Sequence, residues 1–305
     1  MSDLSRTDFL AASAAATAVK GGHVTAAAGD QTLPLQLRWY GGGVYELATP
    51  DDKHVVLVDA WIWNNTGWAA FNLTRPPELA SAVAYAAHLK GRGPDAVIVA
   101  LTHDHGDHIG DYFELLRALV DAGIDVKTVG QSDLMRVGLV PRFKQANLDN
   151  TTIVLNNGNG INVGGTAAYK GIRLELVPAV HSTLLGFPSA GFIIDVGGVR
   201  VWASGDTDLY GDITLIATRY RPDIAFVCVG NGAYTMGPPD AARAVKMAGV
   251  GHAVPVHYAH NPLVLGPAAA DMFRDAVARE APGVTVSAPR PGERTTLHVR
   301  TFARA

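Results

Sequence analysis

A single cysteine, Cys228, stands among the 305 residues. One thiol excludes an intrachain disulfide and any cysteine cluster around a metal. It lies in the apolar run IAFVCVG and reads as a small buried hydrophobe. Apolar runs never reach the roughly 18 residues that a membrane-spanning helix needs. Basic runs are missing as well. Lys and Arg number 25 against 28 Asp and Glu, for a formal charge of -3. That balance argues against a surface built to grip nucleic acid. Neither a Gly-x-Ser-x-Gly elbow nor a Walker loop occurs, so a serine nucleophile and a P-loop have no foothold.

What the chain does have is turn formers, with 33 glycines and 17 prolines, and an apolar content of 48%. Residues 1–30 stand apart. LSRTDFLAASAAATAV is polar, then alanine-rich, and an Ala-x-Ala site follows near residue 28. This reads as an export signal or a disordered extension. SRTDFL is similar to the twin-arginine consensus, with Thr7 in place of the second arginine. A working signal implies a periplasmic or exported protein, and a silent one a cytoplasmic protein. Residues 31–305 are expected to form one domain.

In that domain, LQLRWY, VYELAT and HVVLVDA are β-branched-rich runs separated by GGG and PDDK, and predict strands. PPELASAVAYAAHLKG predicts a helix opened by its prolines and closed by Gly91. DAVIVAL predicts a strand buried on both faces, and DYFELLRALVDAG a helix closed by Gly123. The second half repeats the grammar. IRLELVPA, AGFIIDVGG, VRVWASG, DIAFVCVG and HAVPVH predict strands, while PPDAARAVKMAG and PAAADMFRDAVAREA predict helices. The fold class is α+β: two similar halves packed sheet against sheet, with helices outside.

Between two of these elements lies THDHGDHIG, with three histidines and two aspartates in the six positions from His103 to His108. In an extended segment residues two apart point the same way, so His103 and His105 can aim at one point. Asp107 and His108 come where the chain turns into a helix and can aim beside it. Imidazoles and carboxylates are good ligands for first-row transition metals. Other strand ends offer more of them. His181 follows IRLELVPA, Asp206 follows VRVWASG, and His257 ends HAVPVH.

This order of residues resembles the metallo-β-lactamase-fold hydrolases, over roughly residues 35–300. HSTLLGF, SGDTDLYGD and YTMGPPDAARAV running into PVHY resemble the branch related to L-ascorbate-6-phosphate lactonase. The resemblance implies an αββα sandwich with two divalent metal ions at one edge of the sheets. It implies that His103, His105 and His181 hold the first ion, that Asp107, His108 and His257 hold the second, and that Asp206 bridges them. Asp59, which ends HVVLVDA, matches an aspartate that supports a ligand histidine. One departure stands out. That branch usually carries Gly-His after its first strand, where this chain reads WYGGGVYEL.

The chemistry expected of such a centre is hydrolysis by a metal-bridging hydroxide, with Asp107 as the proton shuttle. Zinc fits the donor set first, and manganese or iron fit it too. The expected substrate is a small molecule, a lactone or other cyclic carboxylic ester. The alternatives are a phosphodiester or, outside enzymes, a non-catalytic role in binding a metal or a ligand. WIWNNTGWAAF brings Trp61, Trp63, Trp68 and Phe71 together as candidate pocket aromatics. Asn231 and His260 are further candidates for substrate contact. LVPRFKQANLDN reads as a loop whose Arg142 and Lys144 could meet an anionic group. The sequence leaves the oligomeric state open, a homo-oligomer included.

Overall fold

A computed structural model describes residues 31–231 and 233–303. The export-signal reading of residues 1–30 lies outside the described residues. Strands β1 (Gln31–Gly41), β2 (Val44–Ala48), β3 (His54–Val58), β4 (Ala96–Leu101) and β5 (Val126–Gly130) come from the first half. The second half supplies β6 (Thr166–Tyr169), β7 (Ile172–Pro178), β8 (Ala190–Val196), β9 (Val199–Ala203), β10 (Ile224–Cys228), β11 (His252–Val256) and β12 (Thr285–Val286). The chain closes with β13 (Arg294–Thr301), which pairs antiparallel with β1.

The first sheet runs β13-β1-β2-β3-β4-β5 and the second β12-β11-β10-β9-β8-β7-β6. Each switches once from antiparallel to parallel pairing. β1, β2 and β3 pair antiparallel, while β4 and β5 are added in parallel. Likewise β6 to β9 pair antiparallel, and β10, β11 and β12 continue in parallel. Parallel pairing requires crossovers, and helices supply them. Ala82–Arg92 and Tyr112–Asp121 serve the first half, and Ile213–Tyr220, Pro238–Ala248 and Ala269–Glu280 the second. The expected fold is therefore present: two mixed sheets flanked by helices.

The inner faces share one core. Leu37, Leu47 and Val56 of the first sheet pack with Phe192, Trp202 and Val254 of the second, all buried. Tyr45 stacks on Phe226 across the gap, with ring centroids 4.4 Å apart. The outer face of the first sheet forms a second core under Tyr85, Leu89, Leu115 and Leu119. β4 feeds both cores, which is why AVIVAL is apolar without alternation.

Several local expectations need correction. The prolines before Ala82 form a separate 3₁₀ turn, Pro77–Leu79, and the helix starts only after Ser81, whose Oγ accepts the Ala84 N–H. Gly91 lies inside that helix. Gly93 ends it instead, at φ +67°, the left-handed conformation glycine adopts without strain. LVPRFKQANLDN is not simply a loop, because Val140–Gln145 is helical and Arg142 lies over the Phe113 ring.

Candidate metal centre

All seven candidate ligands sit just beyond the C-terminal ends of strands, along one edge of the two sheets. β4 ends at Leu101 and the chain stays extended through His103 and His105, where φ is -68° and ψ 149°. It then closes into one helical turn, Gly106–Ile109, which carries Asp107 and His108. His181 follows β7, Asp206 follows β9 and His257 follows β11. Asp59 after β3 and His257 after β11 both take positive φ, +61° and +58°. Asp and His tolerate this left-handed backbone better than most residues, and the surroundings hold it here. From there the Asp59 carboxylate meets Thr102 and His108, and His257 Nε2 meets Asp206.

Three sets of ligand atoms come close enough to share an ion: His103 with His105 and His181; His103 with His108 and Asp206; and Asp107 with His108 and His257. His103 Nε2 lies 3.0 Å from His105 Nδ1, and His181 Nε2 lies 3.3 Å from the same atom. One proton can bridge one of these pairs, whereas a cation satisfies all three lone pairs. Asp206 Oδ2 lies 2.8 Å from His257 Nε2, 3.3 Å from His108 Nε2 and 3.7 Å from His181 Nε2. Nevertheless His108 Nε2 and both nitrogens of His257 are buried without a well-aligned hydrogen bond. Buried donors and acceptors are rarely left so. The residues therefore fit a metal.

Asp59 sets the proton on His108. Its Oδ2 lies 2.6 Å from His108 Nδ1 and also accepts Thr102 Oγ1–H at 2.8 Å, while Oδ1 accepts the Thr102 N–H at 2.8 Å. With its proton on Nδ1, His108 presents a bare Nε2 to the centre. Burial opposes the charge on Asp59 and raises its pKa, against the pull of His108.

The electrostatics follow from crowding. Burial alone would keep Asp206 neutral, but His257 and His108 outweigh it and hold the carboxyl well below the usual range. Burial opposes protonation of His257, yet Asp206 and Asp107 raise its pKa to about 9. Burial, with His108 beside it, pushes His103 well below the ordinary histidine range. Cys228 is buried behind Asp206, its Sγ against the Thr207 carbonyl, and burial with the Asp206 charge raises its thiol pKa, so it stays a neutral thiol and no ligand.

Other residues hold the loops, and the sequence reading missed them. Asp104 occupies the variable position of His-x-His. Its carboxylate accepts the N–H groups of Leu184 and Leu185, each at 2.8 Å, and so ties the His181 loop to the motif. Asp111 accepts the N–H groups of Ile62 and Trp63 at 2.6 and 2.9 Å. Their signal was their place beside the motif, but a carboxylate that fastens backbone looks like any turn aspartate.

The candidate substrate residues fare differently. A hollow of about 380 Å³ opens over the centre, lined by His105, Asp107, His181, Asp206 and His257 together with Leu184, Tyr234, Leu263 and Val264. Trp61 and Trp63 are not part of that lining. Trp61 packs edge-on to His260 with centroids 6.0 Å apart, and Trp63 Nε1–H bonds Glu114. Trp68 and Phe71 serve the cores. Asn231 lies behind the wall, bonded to the Leu263 carbonyl and to the Tyr234 N–H. His260 is buried with Nε2 3.2 Å from Asp107 Oδ2, and Nδ1 has no partner.

A family model described as "Beta-lactamase superfamily domain" matches residues 54–258, a span that holds all seven candidate ligands. The chain belongs to this superfamily. A UPF0173 metal-dependent hydrolase of Nitratidesulfovibrio vulgaris is 32% identical over 270 residues, covering 87% of this chain and 96% of that protein. Another, from Thermodesulfovibrio yellowstonii, is 30% identical over 245 residues, covering 76% and 81%. Among solved structures, Igni18, a metallo hydrolase of Ignicoccus hospitalis, superposes with a TM-score of 0.65 at 26% identity, covering 87% of this chain and 98% of that one. The superfamily member is thus a metal-dependent hydrolase of the UPF0173 family. Among the described residues no helix is long and apolar enough to cross a membrane.

Proposed function

We propose that this hydrolase opens a lactone or other cyclic carboxylic ester at a centre of two divalent ions joined by Asp206, as a relative of the lactonase branch. The observation that carries the two-ion reading is the position of Asp206 Oδ2, within 3.7 Å of histidine nitrogens contributed by both halves of the chain. His103, His105 and His181 would hold one ion, and Asp107, His108 and His257 the other. A set of imidazoles and carboxylates without thiolate suits zinc first, then manganese or iron. Bound there, such ions lower the pKa of water and polarise the carbonyl under attack.

The chain's own residues do the rest. Asp107 is the half-exposed carboxylate of the set and faces the hollow. It takes a proton from the attacking water as the water oxygen bonds to the carbonyl carbon. The ring C–O bond then breaks, and Asp107 returns the proton to the departing alkoxide oxygen, leaving a hydroxy acid. His260 holds the Asp107 carboxylate from behind during both transfers. Among the described residues no lysine or arginine lines the hollow, which favours an uncharged ester over a phosphodiester.

The test is a panel of lactones and phosphodiesters offered to metal-replete protein. Lactone opening that a chelator stops and added metal restores supports the reading. Turnover confined to phosphodiesters overturns it.

A further inference from the structure

Large apolar side chains left in water are uncommon enough to need a reason when they gather. Here they gather at the mouth of the hollow. Leu184 is 73% exposed, Leu263 63% and Tyr234 51%. They come from three separate loops, those after β7, β10 and β11, and all line the hollow that also holds Asp107, Asp206 and His257. Val264 continues the same wall. Leu185, also exposed, stands next to Leu184 on its loop.

The rim is built, not loose. Asp104 grips the N–H groups of Leu184 and Leu185. Asn261 Oδ1 accepts the Leu263 N–H at 2.8 Å, while Asn231 Nδ2–H bonds the Leu263 carbonyl. Asn231 Oδ1 also accepts the Tyr234 N–H at 3.0 Å. Asn231 thus locks two of the three loops to each other. Side chain-to-backbone bonds hold leucine and tyrosine side chains outward, next to the candidate ligands, and among the described residues no lysine or arginine lines the hollow beside them.

We infer that the substrate carries an aliphatic chain, which lies along Leu184, Tyr234, Leu263 and Val264 while its ester group sits over Asp107 and Asp206. The inference rests on the hydrolase reading above and narrows its substrate class. The rim is continuous with the reactive end of the hollow, so the group it covers belongs to the molecule being cleaved. The product is then a single alkyl-bearing hydroxy acid, both ends of the opened ring staying in one molecule.

The experiment uses the full chain loaded with zinc and a series of γ-lactones whose alkyl substituent lengthens one carbon at a time. A buried methylene contributes about 0.8 kcal/mol, or about fourfold. On a rim open to solvent on one side, kcat/KM should climb about two- to fourfold per methylene until the chain passes the rim. Leu184→Ser with Leu263→Ser should cut that slope to near one per methylene. Lactones opened equally fast at every length would overturn the aliphatic class and leave the hydrolase reading standing. Titration calorimetry with linear alkyl carboxylates of the same lengths separates the two ideas. Affinity that rises with length although no lactone is opened keeps the rim and discards the lactone. Affinity independent of length discards the rim.

Discussion

Replacing Asp59 by Asn removes one oxygen's charge and leaves the shape, yet it should cripple one half of the centre. Asp59 stands at φ +61°, a conformation that Asn tolerates well, so backbone strain does not confuse the result. Its two oxygens accept three hydrogens: the Thr102 N–H, the Thr102 hydroxyl and, at 2.6 Å, the proton on His108 Nδ1. An asparagine offers one oxygen and one NH2. If the oxygen meets the Thr102 N–H, the NH2 faces His108 Nδ1, and the histidine must move its proton to Nε2. That blocks the nitrogen turned toward Asp206. In the flipped amide the NH2 meets the Thr102 N–H, donor against donor. Either way a buried hydrogen bond worth about 1–3 kcal/mol is lost. Support of this kind is worth about 10–100-fold in metal affinity. Stepwise zinc titration of metal-free protein against a chelator reads this directly. The step belonging to Asp107, His108 and His257 should weaken by about 10–100-fold. The step belonging to His103, His105 and His181 should weaken much less, because Asp59 reaches that set only through the Thr102 hydroxyl, 3.0 Å from His103 Nδ1. Two unchanged steps, or two equal losses, would refute the argument that Asp59 acts through the His108 proton.

Asp206→Ala should weaken both sites together and Asp206→Asn should lose most of the affinity, whereas His257→Ala should weaken only the second, all read by metal titration. His260→Ala should lower ion binding and turnover by about 10-fold, because it touches Asp107 without belonging to a ligand set. His103→Ala should abolish turnover, and equal damage from the two would refute the ligand assignment. His252 tests a separate pH effect. Burial depresses its pKa from 6.5 to about 4, with Nε2 2.9 Å from Ser287 Oγ. The unfolded chain takes up a proton that the folded chain refuses, so stability present above about pH 6.5 drains away toward pH 4, by at most about 3 kcal/mol. His252→Gln should make acid unfolding less steep in urea melts compared at neutral and acid pH, and an unchanged slope would refute the assignment.

Much of the fold was legible because its strands are apolar for long enough to leave no other place for them. IAFVC and AVIVAL are buried along their whole length. β13 leaves little signal in the sequence because its inward positions, Leu297, Val299 and Thr301, alternate with exposed polar residues. β5 hides in DVKTVG behind a lysine, and Ile213–Tyr220 carries two threonines in its helix. Histidines of the centre could be read because imidazoles at strand ends are chemically specific and few. The rim could not, since Leu184 and Leu263 look like any core leucine until the fold shows them facing water. Conversely the tryptophans promised a pocket wall and turned out to pack beside it, because an aromatic cluster in sequence says nothing about which face it covers.

The central claim is a centre that holds two ions through one shared carboxylate. Elemental analysis of metal-replete protein against its exact concentration tests it most directly. Two ions per chain, falling toward none in Asp206→Ala, is the result expected from the seven converging ligands. One ion per chain, or one ion still held at full affinity in Asp206→Ala, would contradict it.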